Sequence, residues 1–189
     1  FSSNEELMLE PKMDYEDWQP EELAFDENNP SGISDTILQT LEKKDCCILQ
    51  GPPGTGKSYT IAKIVANYLE KGKSVCVTTM ANKGLIELIK QAPLGDLVSE
   101  GKIYKTNLSI DEKKQILGVK TAPSDLNVPA GELLCATNYV LSSVFSEKKM
   151  TLNGLPSYDL IVVEEASQAF LTAIAAFKQL GKKCLIVGD

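Results

Sequence analysis

A chain of 189 residues, 43% hydrophobic and 24% charged, has enough material for one compact domain with a buried core and too little for two large ones. It contains no apolar run long enough to cross a bilayer, so no membrane partner is expected, and Phe1 to Leu9 lack the basic start and apolar centre of a secretory signal, as expected of an intracellular protein or of a chain trimmed at its start. The net charge of -7 excludes a globally basic nucleic-acid-binding surface, although Asp and Glu crowd between Glu5 and Glu27 and leave the remainder nearly balanced, with room for a local basic groove.

Residues 1–31 are acidic and rich in Asn, Pro and Glu, with Trp18, Leu23 and Phe25 as their few anchors, and they read as an extended arm or linker. The main domain then runs over 32–189. Ile33, Ile37, Leu38 and Leu41 recur at helical spacing, and Ser34 is placed to cap that helix. Four short apolar runs follow, Cys46 to Leu49, Ser74 to Thr78, Leu133 to Ala136 and Leu160 to Val163, and a fifth spans Cys184 to Val187. Helical patterns over Tyr59 to Leu69, Gly84 to Ile89 and Ala166 to Phe177 separate them, which predicts an α/β fold whose mostly parallel sheet is covered on both faces. Between Gln91 and Glu132 the chain is more polar, and loops with one short helix near Asp111 to Leu117 are expected. Cys46, Cys47, Cys76, Cys135 and Cys184 show no CxxC spacing and have no histidine to join them, so they read as core residues of a reduced protein.

Gly51-Pro52-Pro53-Gly54-Thr55-Gly56-Lys57-Ser58 fits GxxxxGK[ST], after the first predicted strand and before a helix. The chemistry needs those residue types. Glycines let backbone N–H groups converge on phosphate oxygens, the helix N-terminus adds its positive end, Lys57 reaches the outer phosphates and the Ser58 hydroxyl ligates magnesium. Gly51, Pro52, Gly54, Thr55, Gly56, Lys57, Ser58 and Tyr59 are therefore assigned to a nucleoside triphosphate, expected to be ATP with Mg2+. The strand beginning at Tyr158 delivers Glu164 and Glu165 at its carboxyl end, the edge where open parallel sheets bind ligands. Glu164 is placed toward the metal, and Glu165 where a carboxylate orients or deprotonates an attacking water, so Lys57 and Glu165 are the expected catalytic pair. Asp159, at the opposite end of that strand, is not assigned to the metal.

GPPGTGKS followed by VVEEASQ resembles the first RecA-like domain of superfamily 1 helicases, in the group that includes the nonsense-mediated-decay helicase. The resemblance covers roughly residues 31–189 and implies a P-loop NTPase with a RecA-like three-layer sandwich. Val75 to Leu88 resembles motif Ia, which implies contact with single-stranded DNA or RNA at Thr79 and Asn82. Leu134 to Asn138 is similar to motif Ic and puts Thr137 near the nucleic-acid backbone; capping after a strand is the other reading of Asn82 and Thr137. Leu185 to Asp189 looks like the start of motif III, so Gln168 and Asp189 are expected to couple phosphate state to grip on the strand.

The sequence departs from that family in three ways. Glu164 stands where Asp is usual, and a Gln that would recognise adenine is missing, Gly32 or Ser34 falling at its position while Gln39 reads as surface decoration. The sequence reaches only Asp189, before the Gln of motif III and a second RecA-like domain. All nineteen basic residues are lysine, so the arginines that complete phosphoryl transfer in this class would come from that second domain, and the chain alone is expected to hydrolyse weakly. The leading expectation is the ATP-binding motor domain of an ATP-dependent helicase or translocase; a stand-alone P-loop ATPase switch without unwinding is the alternative. A nucleoside kinase is disfavoured by the Glu-Glu-Ala-Ser-Gln run.

Overall fold

The computed structural model describes residues 30–145 and 154–189. The acidic arm expected over 1–31 lies almost wholly outside the described residues. The first helix, α1 (Pro30–Lys43), begins with a proline at its first position, where the missing N–H is one that a helix leaves unpaired in any case. Ser34 is therefore not its N-cap. It lies a full turn inside α1 and is buried, while Ile37 and Leu41 enter the core as their spacing predicts.

β1 (Cys46–Gln50) leads through the glycine-rich loop into α2 (Lys57–Glu70), followed by β2 (Val75–Thr79) and α3 (Asn82–Ile89). The polar stretch that was expected to be loops with one helix contains more. After a 3-10 turn at Ala92–Leu94 come α4 (Gly95–Ser99), β3 (Ile103–Lys105), α5 (Ile110–Gln115) and β4 (Lys120–Thr121). Strands of three and two residues are too short to show a periodicity, and β3 ends on a lysine, so neither is visible as an apolar run. α5 is signalled by a full capping box, Ser109 Oγ accepting from the Glu112 N–H at 3.2 Å and the Glu112 carboxylate accepting from the Ser109 N–H at 2.9 Å. β5 (Leu133–Thr137), α6 (Asn138–Ser142), β6 (Tyr158–Val163), a 3-10 turn at Ala166–Gln168, α7 (Leu171–Lys178) and β7 (Gly181–Gly188) complete the described chain. The helix read as continuous from Ala166 is thus two pieces, broken where Ala169 and Phe170 adopt extended backbone.

The seven strands form one sheet in the order β1-β7-β6-β2-β5-β3-β4, and every pairing among the described residues is parallel. Side chains alternate across it. Val75 and Val77 join α1, α2 and α3 in one core, with Ile61, Val65, Leu85 and Leu88, whereas Cys76 joins Leu141, Phe177 and Leu180 beneath α6 and α7 in the other. The result is the three-layer α/β sandwich expected, its strands apolar on both faces because both are covered. The five cysteines are free thiols, four of them buried. No helix among the described residues is long and apolar enough to cross a membrane. The crossovers bring the carboxyl ends of β1, β2, β5, β6 and β7 to one edge, where the site lies.

Candidate active site

Gly54 and Gly56 hold φ at 81° and 82°, a left-handed conformation that a side chain would strain, and it is this pair of turns that folds the loop back over the start of α2. Gly56 precedes α2 without a side-chain cap, so the first N–H groups of the helix face the loop with no side chain competing for them. A cleft of about 420 Å³ opens there. Gly54, Gly56, Lys57, Ser58 and Tyr59 border it from the loop side; Glu164, Glu165, Gln168 and Asp189 border it from the ends of β6 and β7. Gly51, Pro52 and Thr55 stand behind it as the loop's frame. The Thr55 hydroxyl donates to the Pro52 carbonyl at 2.8 Å, and the Gly51 N–H donates to the Gly188 carbonyl at 3.2 Å, tying the loop to β7.

Lys57 lies along the cleft floor, donating to the carbonyls of Gly51 and Pro52, and forms an ion pair with Asp189. The Ser58 hydroxyl donates to Glu164 Oε1 at 3.2 Å, across 106 positions of sequence. Glu164 is only 8% exposed, and its second oxygen is buried with no hydrogen-bond partner. Burial pushes its carboxyl above the ordinary glutamate range, the Ser58 hydrogen bond opposes this, and the neighbouring charges of Glu165 and Glu87 push it further up. An orphaned acceptor beside a hydroxyl suits a cation, and Ser58 and Glu164 could hold Mg2+. No cluster of three metal-ligating side chains occurs among the described residues, so the remaining ligands would be phosphate oxygens and water, the usual case for Mg2+.

Glu165 has φ 55°, one of three non-glycine residues in the left-handed region among the described residues, and this turn is what brings its side chain to the cleft beside Glu164 instead of across the strand from it. Glu87 on α3 and Gln91, two residues beyond its end, also border the cleft and were missed from sequence. Their signal was only a helical repeat of polar residues, indistinguishable from a solvated face.

Among the residues expected at nucleic acid, Thr79 is corrected. It is completely buried and its hydroxyl closes the turn after β2 by donating to the Ala81 carbonyl at 2.7 Å, which leaves that side chain no proton for a strand's phosphate. Asn82 is exposed at the first position of α3, not at its cap. Thr137 caps α6, its hydroxyl accepting from the Val140 N–H at 3.4 Å, and is half-buried at the same edge. Gly32 and Ser34 lie within α1 rather than in an adenine-reading loop, and Gln39 is exposed on that helix. Asp159, at the amino end of β6, accepts from the Ser74 N–H and pairs with Lys182, far from the metal position as its place in the strand implied.

Comparison with known proteins agrees with this architecture. The chain is similar to the "DNA replication ATP-dependent helicase/nuclease DNA2" of Saccharomyces cerevisiae, 24% identical over 185 residues, covering 90% of this chain and 11% of the relative. It is also similar to its namesake from Schizosaccharomyces pombe, 24% identical over 152 residues, covering 75% of this chain and 10% of that one. The chain thus spans about a tenth of the length of these curated relatives. Among solved structures, the nuclease-deletion mutant of the Type ISP restriction-modification enzyme LlaGI, in complex with a DNA substrate mimic, superposes with a TM-score of 0.59 at 18% identity, over 88% of this chain and 17% of that one. The UvsW helicase from bacteriophage T4 does so with a TM-score of 0.50 at 16% identity, over 75% of this chain and 45% of that one. Both share the fold, that of a RecA-like P-loop NTPase, and the resemblance to helicase motor domains read from the two motifs is borne out. Residues 34–189 match the AAA domain family, and the chain belongs to it.

Proposed function

We propose that the chain is the ATP-binding motor domain of an ATP-dependent helicase or translocase that acts on single-stranded nucleic acid and hydrolyses ATP when a second RecA-like domain completes the cleft. The observation that carries this reading is the Ser58 to Glu164 contact, which joins the phosphate loop to the carboxylate pair at the end of β6. The glycine loop and the start of α2 would cradle the phosphates, Lys57 would leave Asp189 for the outer phosphates, and Ser58 and Glu164 would hold Mg2+, which neutralises phosphate charge when bound. Glu165 would orient the attacking water and accept its proton. Arginine from outside this chain would supply the remaining charge stabilisation, since the chain has none. Gln168 and Asp189, both at the cleft, would report the state of the outer phosphate, while Asn82 and Thr137 would meet the strand's backbone.

The direct test is ATP hydrolysis with and without an oligo(dT) or oligo(U) single strand. Turnover is expected to rise at least tenfold with the strand and to lose that rise as salt is increased, because phosphate contacts are screened. Turnover indifferent to any single strand sinks the motor reading and leaves a P-loop ATPase switch.

Glu164 adds a pH dependence. Its folded carboxyl sits above the ordinary value of 4.5, so on acidification it takes up a proton earlier than a free glutamate does, and the neutral acid cannot ligate a cation. Magnesium-dependent nucleotide affinity is therefore full well above that raised value and is expected to fall as pH descends through it. Titrations at stepped pH check this, with Glu164→Gln as comparison: the variant should bind more weakly throughout and without that acid limb.

A further inference from the structure

Lys105, the last residue of β3, has no solvent exposure. Its ammonium donates to Asn82 Oδ1 at 3.0 Å, to the Thr106 carbonyl at 3.1 Å and to the Glu112 carboxylate, whose Oε1 lies at 3.1 Å. An ammonium has three protons, and three acceptors take them. This arrangement decides which way the Asn82 carboxamide points. An ammonium can only donate, so the oxygen of Asn82 faces Lys105, and the NH2 group is what this exposed side chain has to offer a partner.

We propose that Lys105 is a positioning residue that presets Asn82 as a hydrogen-bond donor to the phosphodiester backbone of a single strand. The inference rests on the nucleic-acid reading above and names the device that serves it. Glu112 anchors the ammonium from α5 and is itself fixed by the capping box with Ser109. β3 lies beside β5 with Lys105 in register with Cys135, two residues before Thr137, so one buried charge stands behind both segments assigned to the strand. A methionine would fill the same space without the cost of desolvating a charge, so packing alone does not account for a lysine there. A neutral amide donor fixed from behind suits a partner read through phosphates rather than bases, because it grips without selecting a sequence.

The test compares the full chain with Lys105→Met, Asn82→Ala and the double variant, measuring affinity for an oligo(dT) single strand by fluorescence anisotropy and affinity for Mg-ATP in parallel. Each single variant should bind the strand about five- to tenfold more weakly with nucleotide affinity unchanged. The double variant should lose no more than Asn82→Ala alone, because Lys105 acts through that side chain. Wild-type strand affinity in Lys105→Met, or losses that simply add, overturns the proposal. If Lys105→Met does not fold, Glu112→Gln keeps an acceptor for the ammonium and should show a smaller loss that vanishes in the Asn82→Ala background; persistence of the loss there overturns it equally. Failure of the unaltered chain to bind any single strand overturns the nucleic-acid reading itself, which is a separate result from binding that ignores Lys105.

Discussion

Replacing Lys57 by alanine is expected to weaken ATP binding by about two orders of magnitude while leaving the fold intact. The ammonium is the single positive side chain bordering the cleft among the described residues, facing Glu164, Glu165, Glu87 and Asp189 across it. A charge-assisted hydrogen bond contributes about 1.5–3 kcal/mol, and two such bonds to triphosphate oxygens correspond to roughly a hundredfold or more in affinity. Without Lys57, Asp189 would also remain as an uncompensated carboxylate near the outer phosphates, adding repulsion to the lost attraction. Stability should change little, because of the groups that Lys57 satisfies Pro52 and Asp189 are exposed to water and Gly51 is only half-buried. Titration with a fluorescent ATP analogue, with a thermal melt alongside, separates the two quantities. Unchanged affinity in a folded variant removes the nucleotide from this loop.

How far the site could be read from sequence follows from how local each part is. The phosphate loop is contiguous, and its glycines at positions 54 and 56 are demanded by backbone conformation, so eight residues and their flanks were enough. The carboxylate pair was nearly as legible, because a strand that is apolar from Leu160 to Val163 and ends in two glutamates has few other uses. Thr79 was misassigned because the reading placed a side chain by its motif position, while the turn after β2 consumes its hydroxyl internally. Lys105 and Glu112 were invisible for a different reason. The contact of Lys105 with Asn82 spans 23 residues, Glu112 joins only through Lys105, and a lysine in a polar stretch looks solvated until its complete burial is seen. Ser34 misled in the same sense: a good capping residue was overridden by a proline four positions earlier and by burial.

Glu165→Gln is expected to bind ATP as the unaltered chain does and to hydrolyse it about 10²–10⁴-fold more slowly, the usual worth of a positioned general base. Two features of Glu165 carry the expectation. Its side chain borders the cleft beside Glu164, and its backbone occupies the left-handed region at φ 55°, where a side chain costs on the order of 1–2 kcal/mol. Glycine would relieve that cost, so its absence indicates that the carboxylate is retained for what it does in the cleft. Glu164 cannot substitute, since its carboxylate is engaged with the Ser58 hydroxyl at the position assigned to the cation. Glutamine keeps the shape and the hydrogen-bonding reach of the side chain and removes only its capacity to take a proton. Glu165→Gly should then melt at a higher temperature than the unaltered chain and share the loss of turnover. Single-turnover measurements in the presence of a single strand, with melting curves of both variants, check the pair of effects together. Retained hydrolysis in Glu165→Gln moves the base elsewhere in the cleft, and a Glu165→Gly variant that is less stable shows that the left-handed turn is held by contacts of the side chain itself.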